Sequence, residues 1–234
     1  MTSSAERPRG PFRGKRAVDL ALLALGAVPA AVVGAACALA IRADDGGPIF
    51  FRQERIGRDG RPFIAYKFRS MLDGPNPLYP DASRITAVGR VLRRTSLDEL
   101  PQLINVLRGE MSIVGPRPTL AYQVARYDEV QRGRLAVRPG ITGLAQINGR
   151  NELSWGERIA WDLRYVERQS MRLDLEIIVR TVGVVAFGRG VGGHPTDDPL
   201  ATVPESGATP PSVTDDQPGL DATDSANSAI DRQT

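Results

Sequence analysis

The sequence predicts a mainly helical α+β chain: a membrane-associated helix near the N-terminus, one folded body holding a small β-hairpin and amphipathic helices, and a solvated tail. Three observations carry this reading. Leu20 to Ile41 is a run of 22 residues without a charge, able to extend about 33 Å as a helix, the thickness of a bilayer's hydrocarbon core. Asp44 to Met71 alternates turn signals with short apolar runs, the pattern of a hairpin. From Thr86 to Val185, apolar residues recur at helical spacing between Pro- and Gly-rich connections.

The chain has 234 residues, enough for one domain with appendages. A lone Cys37 excludes an internal disulfide and a zinc cluster, and a lone His194 excludes a Ser-His-Asp triad or a multi-histidine metal site. Catalysis must therefore use carboxylates, Lys, Arg, hydroxyls or the backbone. The net charge of +3 conceals a division: the first 190 residues carry 29 bases and 19 acids, net +10, while residues 191–234 carry net −7. A body this basic expects an anionic partner. The tail holds too few large apolar side chains to offset the entropy of ordering it, so it is expected to be disordered.

Residues 1–14 read as a flexible N-terminus and 15–42 as the membrane element. The apolar run exceeds the length of a signal peptide's core. A simple span and a re-entrant hairpin remain, because basic residues flank both ends and Pro29 near the middle removes a helical hydrogen bond. Residues 43–190 form the body. Ile49–Phe51 and Phe63–Phe68 are the expected strands, joined through Arg58-Asp-Gly-Arg, and Gly74–Asp81, with three prolines, is loop. Thr86–Thr95 is a short helix whose basic face holds Arg90, Arg93 and Arg94.

The helix expected over Asp98–Arg108 has Leu100, Leu103, Ile104 and Leu107 on one stripe and Gly109 as its stop. Ser96 and Glu99 have capping-box spacing. A start at Asp98 fits Pro101 better, because Pro101 then falls in the first turn, where backbone donors are unused. Asp98 and Glu99 then stand side by side at a helix start, with arginines upstream, a pairing suited to phosphate chemistry with a divalent cation. Two prolines hold Arg117 in Gly115-Pro-Arg-Pro. Such an arginine grips phosphate oxygens or sits exposed on a rigid loop. Val137–Arg150 carries Gly140, Gly143 and Gly149 and matches neither common phosphate-loop motif. Trp155–Val185 resumes helical periodicity, and Asp174 opens its last apolar run, a position that also suits a helix cap.

Taken together, Lys67-Phe-Arg-Ser-Met, Ser96-Leu-Asp-Glu-Leu-Pro-Gln-Leu, Met111-Ser-Ile-Val-Gly-Pro-Arg-Pro and Arg138-Pro-Gly-Ile-Thr-Gly-Leu-Ala-Gln-Ile-Asn-Gly-Arg resemble the bacterial sugar transferases, the monotopic polyprenyl-phosphate glycosyl-1-phosphate transferases. The resemblance runs from about Lys15 to Thr181. It implies a bacterial inner-membrane enzyme with its catalytic domain on the cytoplasmic face. Its reaction moves a sugar-1-phosphate from a nucleoside diphosphate sugar, usually a UDP-sugar, to undecaprenyl phosphate, releasing UMP and initiating surface glycan synthesis. Phospholipid is a further partner, nucleic acid is not, and a homodimer is left open. Residue by residue, the resemblance implies Asp98 as nucleophile, Glu99 as the acid that shares Mg²⁺ with it, and Lys67 and Asp174 as the other active-site groups. The expected phosphate and substrate contacts are Arg69, Arg90, Arg93, Arg94, Arg117, Arg138, Gln146 and Arg150. It also implies a re-entrant hairpin broken at Pro29, although Val28 stands where the family usually has serine. Two other readings compete: a membrane-anchored basic protein that binds anionic lipid or nucleotide without catalysis, and a glycosyltransferase that would release UDP.

Overall fold

The computed structural model describes residues 10–72 and 82–186. The loop expected at Gly74–Asp81, the acidic tail from Val191, His194 and most of the N-terminal segment lie outside the described residues.

Helix α1, Lys15–Asp45, contains Pro29 and runs through it without interruption. The break expected there is not a break in the helix: proline forfeits one hydrogen bond, and the alanine- and leucine-rich flanks carry the turn past it. Gly46, at φ 72°, ends α1 with its N–H on the Arg42 carbonyl. One face packs inward, where Cys37 and Ile41 meet Phe68 and Leu92. Leu25, Val28, Val32 and Leu39 are 67–81% exposed on the other. Its length and apolar composition suffice for a membrane helix. The exposed stripe needs an apolar surrounding.

Both ends of α1 are tied to the same body. At the start, Lys15 Nζ lies 2.5 Å from Asp174 Oδ2 and 3.3 Å from Asp19 Oδ1. Ser112 Oγ donates to Asp19, and the Tyr165 hydroxyl donates to Asp174 at 2.8 Å. Arg16 donates to the carbonyls of Val106 and Leu107. At the far end, Asp44 accepts from the Val88 N–H at 3.1 Å and Asp45 pairs with Arg69. Lys15, Asp19 and Asp174 are all buried. Lys15→Met would leave two buried carboxylates without a counter-charge, so a loss of about 3–5 kcal/mol is expected. Thermal unfolding in detergent would measure it.

The predicted hairpin forms. β1, Phe50–Ile56, pairs antiparallel with β2, Pro62–Phe68, setting Phe51 opposite Lys67. The turn between them uses Asp59 and Gly60 at φ 57° and 75°. Helix α2, Ala87–Thr95, is capped by Thr86 Oγ1 on the Gly89 N–H. The expected helix over Asp98–Arg108 appears as a 3₁₀ helix, Leu97–Gln102, continuing into α3, Leu103–Arg108. Pro101 has no N–H to offer the Leu97 carbonyl, so the first turns tighten before the α ladder begins. Gly109 ends α3 at φ 80°. Buried Asn105 clamps α3 to β2: its amide donates to the Ile64 carbonyl at 2.7 Å and accepts from the Tyr66 N–H at 3.2 Å. That clamp fixes Lys67 beside the acid pair.

The second half is built around a parallel pair that the sequence pattern did not predict, β3, Ser112–Val114, with β4, Gly140–Thr142. Between them lie the short helices α4, Ala121–Ala125, and α5, Glu129–Arg132. The glycines of the Arg138–Arg150 segment serve close approach. A Cβ on Gly140 would stand 2.1 Å from the Gly115 nitrogen, and one on Gly143 2.2 Å from the Gly115 carbonyl oxygen. Only bare backbone lets this segment cross the loop that carries Arg117. Helix α6, Leu144–Ile147, follows, and then α7, Trp155–Arg168, and α8, Met171–Ala186. The helical period over Trp155–Val185 is thus two helices, the first started by a Ser154–Glu157 capping box. Val114, Val137, Leu144, Ile147, Tyr165, Val166 and Ile177 form the core between them.

Candidate active site

A polar cleft of about 150 Å³ opens where β2, the 3₁₀ turn, the Arg117 loop and α6 meet. Asp98 and Glu99 lie in it, placed by the first turn of the 3₁₀ helix. Ser96, just before them, is held at φ 58°, and Arg150 across the cleft at φ 52°. These two are joined by a hydrogen bond from Arg150 Nη2 to Ser96 Oγ of 2.7 Å. Left-handed backbone in non-glycine residues is costly and persists where the surroundings enforce it, commonly at functional sites.

The two acids differ in environment. Glu99 is buried and pinned: Oε1 accepts from Lys67 Nζ at 2.8 Å and from Arg117 Nη2 at 2.6 Å, and Oε2 from Arg117 Nη1 at 3.3 Å. Burial alone would raise its pKa, but Arg117 and Lys67 outweigh that and hold it well below the usual carboxylate range. Asp98 pairs more loosely, with Lys67 Nζ at 4.0 Å. Burial raises its pKa, against the pull of Lys67. One acid is thus a locked counter-ion, and its neighbour presents a carboxylate to the cleft.

Five cations line the cleft, Lys67, Arg93, Arg117, Arg150 and Arg158, against the two acids. An arrangement this positive suits a polyanion such as a diphosphate. Arg55, behind the loop, donates to the Pro118 carbonyl at 3.3 Å, and burial and then the neighbouring Arg117 charge push its pKa down to about 10. Burial, then Arg117, likewise lowers Arg150. Glu99 raises Arg117.

Seven of the expected residues meet here: Lys67, Arg93, Asp98, Glu99, Arg117, Gln146 and Arg150. Five do not. Asp174 is buried on Lys15 and Tyr165, and Arg69 on Asp45 and the Pro48 carbonyl, both anchoring α1. Arg138 donates to the Gly109 carbonyl, bracing the turn after α3. Arg90 and Arg94 are exposed on α2 and do not line the cleft. Ser96 and Arg158 line it unexpectedly. Arg158 looks like one more surface base of α7, and only Asp162, at helical spacing from it, hints at a buried face.

No group of three or more His, Cys, Asp or Glu gathers among the described residues, which argues against an all-protein cage. A magnesium site of one or two carboxylates completed by substrate phosphate needs only the Asp98–Glu99 pair, and Glu99 Oε2 keeps coordinating capacity beyond its single 3.3 Å contact. The residues fit such a shared site. Beside the cleft, Leu100 and Pro101 border a second, apolar cleft of about 440 Å³ whose opposite wall is Leu23, Ala27, Ala31 and Gly34 of α1.

The sequence model of the family described as "Bacterial sugar transferase" matches residues 11–188. The chain is 40% identical over 213 residues to the exopolysaccharide production protein ExoY of Sinorhizobium fredii, covering 80% of this chain and 92% of that protein. It is 44% identical over 200 residues to the UDP-glucose:undecaprenyl-phosphate glucose-1-phosphate transferase of Caulobacter vibrioides, covering 75% and 73% respectively. A protein of the same description from Escherichia coli is 44% identical over 181 residues, 72% of this chain and 39% of that longer relative.

Proposed function

The chain belongs to the bacterial sugar transferase family, and on that premise we propose that it moves a sugar-1-phosphate from a UDP-sugar to undecaprenyl phosphate, with release of UMP, in exopolysaccharide synthesis. The observation that carries the chemistry is the division of labour between two adjacent acids in a cleft lined by five cations. Glu99 is held by Lys67 and Arg117, so Asp98 supplies the nucleophile. An Asp98 oxygen attacks the phosphorus that bears the sugar. A P–O bond forms to Asp98, the bond to the nucleotide's own phosphate breaks, and UMP leaves with the electron pair. An oxygen of the polyprenyl phosphate then attacks the same phosphorus and frees the Asp98 carboxylate. A diphosphate anhydride gives way to an acyl phosphate and that to a second diphosphate, all anhydrides of high transfer energy, so no ATP is needed.

Positioning and charge neutralisation dominate such transfers. Arg150, Arg158 and Arg93 neutralise the diphosphate, while Lys67 and Arg117 hold Glu99 in place beside it. Mg²⁺ belongs to this proposal, held by Asp98 and Glu99 and supplying further neutralisation of the phosphates. The apolar cleft along α1 supports a lipid acceptor, since it ends at Leu100 and Pro101, beside the acid pair.

Both ends of α1 are fastened to one body while its middle exposes an apolar stripe. That supports α1 lying with its apolar stripe in the inner membrane and both its ends on the body's side, with the body on the cytoplasmic side where nucleotide sugars are made.

The test is purified protein in detergent with undecaprenyl phosphate, Mg²⁺ and a panel of UDP-sugars, followed by UMP release. UMP that appears only with the lipid acceptor or in a single-turnover burst is the expected result. Release of UDP would assign a different glycosyltransferase chemistry. Absence of product with every donor would favour the anchored binding protein.

A further inference from the structure

Gln146 stands between the polar cleft and a smaller recess of about 70 Å³. Both its amide atoms, Oε1 and Nε2, are buried and have no hydrogen-bond partner among the described residues. A buried amide with neither bond made carries an unmet cost that a ligand can relieve. The neighbouring polar groups are already engaged. Thr142 and Thr181 share a hydrogen bond of 2.7 Å and Thr181 also donates to the Ile177 carbonyl. Arg117 holds Glu99, and Ser96 accepts from Arg150. The remaining walls are apolar: Ile141, Ile147, Val184 and Val185.

We infer that this recess takes the nucleobase of the donor and that Gln146 reads the base's imide edge, an assignment that rests on the nucleotide-sugar reading above. A pyrimidine ring has apolar faces for the isoleucine and valine walls. Its edge places an N–H donor beside a carbonyl acceptor, which one amide meets with two hydrogen bonds, Oε1 accepting from N3–H and Nε2 donating to O4. A sugar is a poorer match, because its ring of hydroxyls would face those aliphatic walls unpaired. Arg150 and Arg117 border both spaces. A base in the recess therefore leads its phosphates across these arginines to Asp98, and leaves the sugar on the far side of the acid pair.

The experiment measures binding of UMP, 3-methyl-UMP and ribose 5-phosphate by calorimetry to the full detergent-solubilised chain and to Gln146→Ala. UMP carries the base but no sugar, methylation at N3 removes the donor, and ribose 5-phosphate keeps only the phosphate arm. Gln146→Ala should weaken UMP roughly ten- to a hundredfold and bind it no better than 3-methyl-UMP, with ribose 5-phosphate unchanged. UMP affinity unchanged in Gln146→Ala overturns the inference, as does an equal loss for ribose 5-phosphate. Wild type that binds no UMP would overturn the functional reading itself. Should Gln146→Ala fail to fold, Gln146→Glu keeps the shape but sets an acceptor against O4 and should show the same selective loss.

Discussion

Asp98→Asn lowers UMP release by on the order of 10³-fold or more while leaving thermal stability unchanged or slightly raised. The amide has the shape of the carboxylate and none of its nucleophilicity, so the covalent route closes. Stability is spared because the Asp98 side chain, 13% exposed, has its nearest cation 4.0 Å away, too far for a strong charge-assisted hydrogen bond. Burial already disfavours its charge, and a neutral group removes that cost. With the lipid acceptor omitted, mass spectrometry of the wild type should find a sugar-phosphate adduct on Asp98, absent from the variant. A variant that retains activity, or an adduct on another residue, would remove Asp98 from the mechanism. Glu99→Gln makes the contrast: it discharges the group that neutralises Lys67 and Arg117, so it should lose stability as well as rate.

What the sequence disclosed depended on how local the determining interaction is. The Asp98–Glu99 pair was legible as adjacent acids at a helix start, although that start is Leu97 behind Ser96 and not Asp98 as Pro101 had suggested; Arg117 was legible because prolines flank it. Gly109 marked the end of α3 for the same kind of reason. Asp174 and Arg69, expected in the site, do not line the cleft. Each is a buried charge whose partner is far away along the chain, Lys15 for Asp174 and Asp45 for Arg69, and no local pattern separates a structural ion pair from a catalytic one. The β3–β4 pair has three residues in each strand, too few for any periodicity. Glycine is needed equally where backbone meets ligand and where backbone meets backbone, and at Gly140 and Gly143 the structure shows the second. The position of Arg158 in the cleft depends on α7 packing over the Arg150 turn, where it donates to the Arg150 carbonyl, and that contact has no signature in sequence.

The second large effect concerns an ion pair beneath the cleft. Arg134 and Asp162 have side chains 1% and 0% exposed. Arg134 bonds Asp162 and the Tyr127 hydroxyl, and its Nη2 donates to the backbone carbonyl of Arg117 at 2.9 Å. The pair is incompletely satisfied, since Arg134 Nε and Asp162 Oδ1 have no hydrogen-bond partners among the described residues. Removing one partner strands the other charge in the interior, so Asp162→Leu and Arg134→Met should each cost about 3–5 kcal/mol. Replacing both with apolar residues of similar volume removes both desolvation costs, and the double variant should regain most of the stability. It should not regain activity. Without Arg134, its hydrogen bond to the Arg117 carbonyl is lost, and the guanidinium fork on Glu99 loses a support of the backbone that aims it. Because small displacements of positioning groups cost rate steeply, UMP release should stay roughly ten- to a hundredfold down. Unfolding temperature and kcat measured on the three variants separate the two roles. A double variant both stable and fully active would show that the pair serves the fold alone, whereas one stable but slow would identify Arg134 as the residue that positions Arg117.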